Sequence, residues 1–270
     1  MPAIRKVVKA TKPVKKEQPK KAAAFFDVDN TLVRGSTIYF LGRGMYQRGF
    51  FTKSDISRFV LANLRFRLTG TEKSEEISRF QKAAQDFIGG HNVSEIKSVA
   101  QEIYDEYVSP SLWEGTIEIA QAHLNDGVEV WLVTAAPEDM ATLIAERLGF
   151  TGALGSKAAI VDGHYTGAMN GPLLHGKEKA VAIEEIAKER GFVLADCFGY
   201  SDSHNDLPLL QTVGHPSAIN PDAKLRIRAL KENWPIHDFR RMRSINRWLG
   251  PIVSRAAWLG TRLTPRRKSR

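Results

Sequence analysis

Two periods of apolar residues divide this chain. Residues 1–21 show neither; they are Lys-rich, contain Pro and carry no apolar stripe, which predicts a disordered arm. A short apolar run, Ala22–Phe26, predicts a buried strand. From Thr37 to about Val108 the apolar positions recur at helical spacings, among them Ile38, Leu41, Met45, Phe59, Leu64, Ile77, Phe80, Phe87, Ile96, Val99 and Ile103. Breaks fall at Gly49, Gly70 and Gly89–Gly90. No strand pattern interrupts residues 37–108, which read as a helical insertion after the first strand.

Beyond it the periods alternate. Strands are expected at Val128–Val133, Asp196–Tyr200 and Pro216–Asn220. Helices are expected at 116–125, Glu138–Leu148, Lys177–Arg190, Asp206–Thr212 and Asp222–Lys231. A hairpin is expected over 158–170, turning at Asp162-Gly163. Alternating strands and helices predict an α/β fold, a doubly wound parallel sheet with a helical cap after its first strand. The core would comprise 22–36 and 109–233. In the remaining stretch, 234–270, Met242, Ile245, Leu249, Ile252, Ala256, Leu259 and Leu263 recur every three or four residues. Arginines lie off this stripe, Trp248 and Trp258 flank it, and Gly250-Pro251 breaks it.

Composition adds a charge asymmetry. The chain has 270 residues, 43% hydrophobic and 26% charged, with a formal net charge of +9. Residues 1–21 carry +7 and residues 222–270 carry +11, leaving −9 on the body between them. An acidic globule with basic ends points to a polyanionic surface, membrane or nucleic acid. Against nucleic acid, the body lacks a basic face and no binding motif is recognised. The single cysteine, Cys197, cannot form an internal disulfide, which fits a reducing, cytoplasmic setting. No uncharged apolar run reaches the length of a membrane span. The N-terminus has no signal-peptide apolar region.

The candidate chemistry centres on Phe25–Arg34, FFDVDNTLVR. Asp27 and Asp29 are one residue apart at the end of the first strand, where side chains at i and i+2 share a side. Carboxyl ends of open α/β sheets are where ligands bind. Two close carboxylates repel, so one binds a cation or holds a proton. A calcium loop is excluded, because Leu32 and Ile38 stand where it needs Gly and Glu. Three later stretches supply complementary groups. Thr134 ends the second core strand in LVTAAP. Lys177 and Lys179 open a helix, and either could bring a cation to a phosphate. GPLLHGKE from Gly171 only approaches a phosphate loop, since Glu178 replaces the Ser or Thr. Asp202 and Asp206 follow another strand in FGYSDSHNDLPLL. Hard oxygen ligands of this kind favour Mg²⁺ over zinc.

In this order and spacing, D-x-D-x-T at Asp27–Thr31, Thr134, a helix-borne lysine and G-Y-S-D-x-x-x-D at Gly199–Asp206 resemble the haloacid dehalogenase superfamily. The inserted cap resembles its phosphoserine phosphatase branch. The resemblance covers about 22–225. It implies a phosphatase with Asp27 as nucleophile and Asp29 as acid and base. It implies Thr134 and Lys179 as phosphate ligands. Mg²⁺ would be held by Asp27, the Asp29 carbonyl and Asp202, with Asp206 supporting. One position departs from that branch: Ser36 stands where an ammonium-binding Glu is expected, which weakens phosphoserine as substrate. A lipid-linked or glycerol-type phosphomonoester is expected instead, with the basic C-terminal segment on an anionic membrane surface. The alternatives are phosphoserine itself and a basic-tailed binding protein without catalysis.

Overall fold

The computed structural model describes residues 21–50, 52 and 88–240. The expectations for residues 1–20, for the middle of the helical insertion and for 241–270 lie outside these residues.

The central strand is β1 (Ala23–Phe26). All four of its residues are buried, the signature of a parallel strand covered on both faces. Successive side chains feed two cores. Ala24 and Phe26 join one cluster with Leu132, Ile144 and Tyr200. Ala23 and Phe25 join the other with Ile183, Leu209 and Leu225. The chain then enters helix α1 (Thr37–Gln47) and returns through α2 (Val93–Ile103). A π-helical turn, Tyr104–Val108, leads back to the sheet. Helix α3 (Glu114–Asn125) precedes β2 (Glu129–Pro137), and α4 (Glu138–Leu148) precedes β3 (Gly152–Ser156). The hairpin β4 (Ala158–Val161) and β5 (His164–Met169) forms a separate two-stranded sheet. Helix α5 (Lys177–Arg190), β6 (Phe198–Ser201), α6 (Leu207–Thr212), β7 (His215–Ile219), α7 (Ala223–Lys231) and β8 (Ile236–His237) complete the described chain.

The main sheet is parallel, in the order β3-β2-β1-β6-β7-β8. The chain builds outward from β1 on one side and then on the other. The switch therefore falls beside β1, the position where open α/β sheets form ligand crevices. Helices Glu138–Leu148 and Lys177–Arg190 match the sequence pattern end for end, each closed by a left-handed glycine, Gly149 and Gly191.

Three points differ from the pattern. Strand β2 runs to Pro137, so Thr134 lies inside it rather than at its end. Strand β3 was not expected, because GALGS has little β propensity. Its glycines serve packing instead: a Cβ at Gly152 would lie 2.6 Å from the Trp131 ring, and one at Gly155 would lie 2.5 Å from Glu138 Cα. Finally, β8 adds a sixth strand within the stretch read as a C-terminal segment. Its two residues register with Ala218 and Ile219.

The hairpin ties the returning limb of the helical insertion to the core. Gly90 N donates to Tyr165 O at 2.7 Å, Tyr165 N to His91 O at 3.0 Å, and Val93 N to Gly163 O at 2.9 Å. Tyr165 also donates from its hydroxyl to Asp139 Oδ2 at 2.7 Å, and Lys97 pairs with Asp139 Oδ1 at 3.1 Å.

Gly155→Ala should lower stability by about 1–3 kcal/mol, since its Cβ meets backbone that cannot rotate away. Urea unfolding measures this, and an unchanged midpoint would contradict the packing described for β3.

Candidate active site

The sheet hands its central strand directly to the site. Asp27 follows β1, and its N–H donates to Tyr200 O of β6 at 2.9 Å. This bond crosses the switch point and fixes the first carboxylate at the sheet's carboxyl end. The loop after it closes on itself. Leu32 N and Val33 N both donate to Val28 O at 2.9 Å, and Asn30, at φ +58°, accepts from Gly35 N through its side chain at 3.1 Å. Asparagine tolerates this left-handed conformation because its side chain bonds locally. Thr31 is turned inward and donates to Asp27 Oδ2 at 3.0 Å.

Asp29 points elsewhere, to the start of α1. Its Oδ1 accepts from Thr37 N at 2.9 Å and from Thr37 Oγ1 at 2.7 Å. Ser36 holds the cap position of that helix but makes no side-chain cap. The carboxylate seven residues earlier caps the helix instead, where free N–H groups and the helix dipole favour an anion.

Helix α5 brings in the cation. Gly176, at φ +58°, turns the chain into it. Lys179 is 3% exposed, and its Nζ donates to Asp27 Oδ1 at 2.5 Å and to Asp206 Oδ2 at 2.7 Å. Lys177 is exposed, so the ammonium of the site is that of Lys179. Asp206 is 2% exposed and also accepts from Ser201 Oγ at 2.8 Å. Its Oδ2 is thus engaged by Lys179 and Ser201. Thr134 lies two residues past Leu132, the register partner of Phe26, and so is level with Val28. It is buried, and its Oγ1 accepts from Ala136 N at 3.1 Å, leaving its proton free to donate.

Asp202 follows β6, and its main-chain oxygen accepts from Asp222 N at 2.7 Å. Its carboxyl is pushed up to about 8, first by burial and then by the Asp27 and Asp206 carboxylates. Burial likewise pushes Asp27 up to about 7 against the downward pull of Lys179, with Asp206 adding to the rise. Burial pulls the Lys179 ammonium down, but Asp27 and Asp206 outweigh it and raise its pKa above the ordinary lysine value.

Of the four carboxylates Asp27, Asp29, Asp202 and Asp206, only Asp27 and Asp206 pair with the one buried ammonium. Among the described residues no three His, Cys, Asp or Glu side chains form a metal cage by themselves. Mg²⁺ does not need one, because it binds through one or two carboxylates and completes its shell with water and substrate phosphate. Asp206 is taken by Lys179 and Ser201, and the Asp29 Oδ1 by Thr37. Asp27 accepts from Lys179 and Thr31 through one lone pair of each oxygen, which leaves the others for a cation, and Asp202 and the Asp29 carbonyl could complete the set. This hard, anionic set fits Mg²⁺.

Sequence reading missed two contributors. Thr37, fully buried, looks like the first core residue of a helix. Ser201 lies within the recognised G-Y-S-D stretch, yet nothing in the pattern says that its hydroxyl reaches Asp206.

A family model of haloacid dehalogenase-like hydrolases matches residues 24–211. Phosphoserine phosphatase SerB1 of Mycobacterium tuberculosis is 47% identical over 226 residues, 84% of this chain and 73% of the relative. A histidinol-phosphatase of Neisseria meningitidis is 28% identical over 224 residues, 82% of this chain and 100% of the relative. A solved Bordetella pertussis protein of unknown function superposes with a TM-score of 0.73 at 26% identity, covering 82% of this chain and 99% of that one.

The raised carboxyls carry a sign. Between the ordinary 3.8 and about 8, the folded Asp202 binds more proton than the unfolded chain. Stability of the metal-free protein should therefore fall as pH rises through that window. A cation competing for the same oxygens should stabilise more at pH 8 than at pH 5.5. Thermal melts with and without Mg²⁺ check this. In Asp202→Asn both the pH slope and the Mg²⁺ gain should shrink, and a gain independent of pH would contradict the assignment.

Proposed function

The chain belongs to the haloacid dehalogenase-like hydrolases and is a phosphatase, and we propose that it is an Mg²⁺-dependent phosphomonoesterase working through an aspartyl-phosphate on Asp27. The observation that carries this reading is the bridge from Lys179 to Asp27 and Asp206, with Asp29 held beside it at the start of α1.

In the proposed reaction an Asp27 carboxylate oxygen attacks phosphorus while the bond from phosphorus to the substrate's ester oxygen breaks. Asp29 gives its proton to that leaving oxygen. It then takes a proton from water as the water attacks phosphorus, and the P–O bond to Asp27 breaks. Free Asp27 and inorganic phosphate result. Lys179 and the Thr134 hydroxyl hold the phosphoryl oxygens throughout. Mg²⁺, held by Asp27, the Asp29 carbonyl and Asp202, would neutralise charge on the phosphoryl group and keep Asp27 ionised.

The substrate proposed is a lipid-linked or glycerol-type phosphomonoester. Supporting it, Ser36 is neutral, its hydroxyl is not spent on capping, and the first turn of α1 carries no acid. A substrate ammonium would find no carboxylate partner on that element. The C-terminal stretch supports the same reading. Arg240 donates from Nη2 to Pro221 O at 3.1 Å, next to Asp222, which bonds Asp202. In sequence, residues 241–270 follow with nine Lys or Arg and no acid, a composition suited to an anionic membrane surface. A second reading, phosphoserine, is favoured by the name of the 47% identical relative.

Phosphate release from an aryl phosphate, phosphoserine, glycerol phosphate and a phosphatidylglycerol phosphate discriminates these. We expect release to require Mg²⁺, to fall about a thousandfold or more in Asp27→Asn, and to favour the glycerol-type esters. Preference for phosphoserine would select the second reading, and Mg²⁺-independent release would overturn the mechanism.

Asp29 should matter in proportion to how poor the leaving group is. Thr37→Val keeps the buried volume but removes the hydroxyl that orients it. It should slow alkyl phosphates about tenfold or more while leaving aryl phosphate, which departs without a proton, nearly unchanged. Thr37→Ser should restore the rate. Equal loss on both substrates would mean that Thr37 only supports packing.

A further inference from the structure

Helix α7 has two faces of unlike origin. Leu225 and Ala229, fully buried, pack with Leu209, Leu210 and Ala218. On the opposite side, Ile227 is 69% and Leu230 is 65% exposed, the two most exposed large apolar side chains among the described residues. Spacings of three along the helix, Lys224–Ile227–Leu230, put them on one stripe, and exposed Lys231 ends it.

The charges borne by the helix itself are of one sign. The helix carries Lys224, Arg226, Arg228 and Lys231 and no acid. Arg226 pairs with Asp238, and Arg228 with Glu232 at 3.2 Å. No ion pair to Lys224 or Lys231 is formed among the described residues. Two bare apolar side chains between unpaired ammonium groups match the boundary between acyl chains and anionic headgroups. An acidic peptide would leave Ile227 and Leu230 unused. Nine residues, 232–240, separate this helix from the basic stretch that begins at 241.

We propose that the outer face of α7 is a docking surface for an anionic lipid bilayer, with Ile227 and Leu230 entering the acyl boundary and Lys224 and Lys231 meeting the headgroups. The proposal rests on the membrane-side reading of the phosphatase and supplies a surface for it outside residues 241–270. Helix α7 is capped by Asp222, whose N–H donates to the main-chain oxygen of Asp202. A bilayer along this flank would therefore lie beside the site's mouth.

The test reads the helix itself. The only cysteine, Cys197, is fully buried, so Ile227→Cys in the full chain can be labelled selectively with an environment-sensitive nitrobenzoxadiazole dye. With vesicles of phosphatidylcholine and phosphatidylglycerol we expect a blue shift and a gain in intensity. Neither should occur with pure phosphatidylcholine, nor with the label at exposed Lys188 on α5. Ile227→Glu with Leu230→Glu in the unlabelled chain should weaken flotation with the anionic vesicles about tenfold or more, without altering aryl phosphate turnover. An unchanged spectrum at 227 would overturn the proposal. So would equal changes with neutral vesicles, or a shift that follows protein concentration without vesicles, which would mark self-association. Loss of aryl phosphate turnover in wild type would instead defeat the phosphatase mechanism, independently of the spectral result.

Discussion

One buried ammonium faces too many carboxylates, and most of the site follows from that imbalance. Lys179 satisfies Asp27 and Asp206 together, and Ser201 completes Asp206. Asp202 is left without such a partner, and burial with the neighbouring carboxylates pushes its carboxyl up to about 8. An isolated buried charge is among the costliest things a fold can contain. The described fold tolerates this group because every element holding it is anchored in the sheet. Asp27 extends β1, Asp202 extends β6, and the two strands are hydrogen-bonded neighbours. A cation at these oxygens, as proposed, would compete with protons there, so its binding would be linked to their titration.

The legible parts of the chain were those with local physical signatures. Helices α4 and α5 end at glycines that must adopt positive φ, and their limits could be read residue by residue. The buried run before Asp27 could only be a covered strand. What escaped was set by packing at a distance. Strand β3 is built from glycine and alanine because Trp131 and the start of α4 crowd it, a reason invisible in GALGS itself. Strand β8 has two residues, too few for any period. The choice between Lys177 and Lys179 was open in sequence. Two residues along a helix differ by about 200° in direction, so only one could face inward, and burial shows which. Thr37 was hidden because a buried threonine at a helix start has an ordinary reading, and its bond partner lies in the preceding loop.

The position of Asp29 joins the two chemical halves of the molecule. Asp27 is held by the sheet, whereas Asp29 is held by the first helix beyond it. A displacement of α1 would therefore move Asp29, the proposed proton-transfer group, and leave Asp27 in place. The family's relatives act, by their names, on phosphoserine and histidinol phosphate. A shared phosphate centre beside a separately mounted element is consistent with such variety.

The hairpin between β3 and α5 has a consequence for how this architecture can be recombined. Its backbone is bonded to the residues that begin the returning limb of the insertion, and Tyr165 and Lys97 converge on Asp139 of α4. The insertion is thus stitched to a part of the chain some seventy residues downstream. A graft of residues 37–108 from a relative would bring its own edge to a foreign seam. In a chimaera the interchangeable unit is the insertion together with residues 158–169, two stretches that must travel as one.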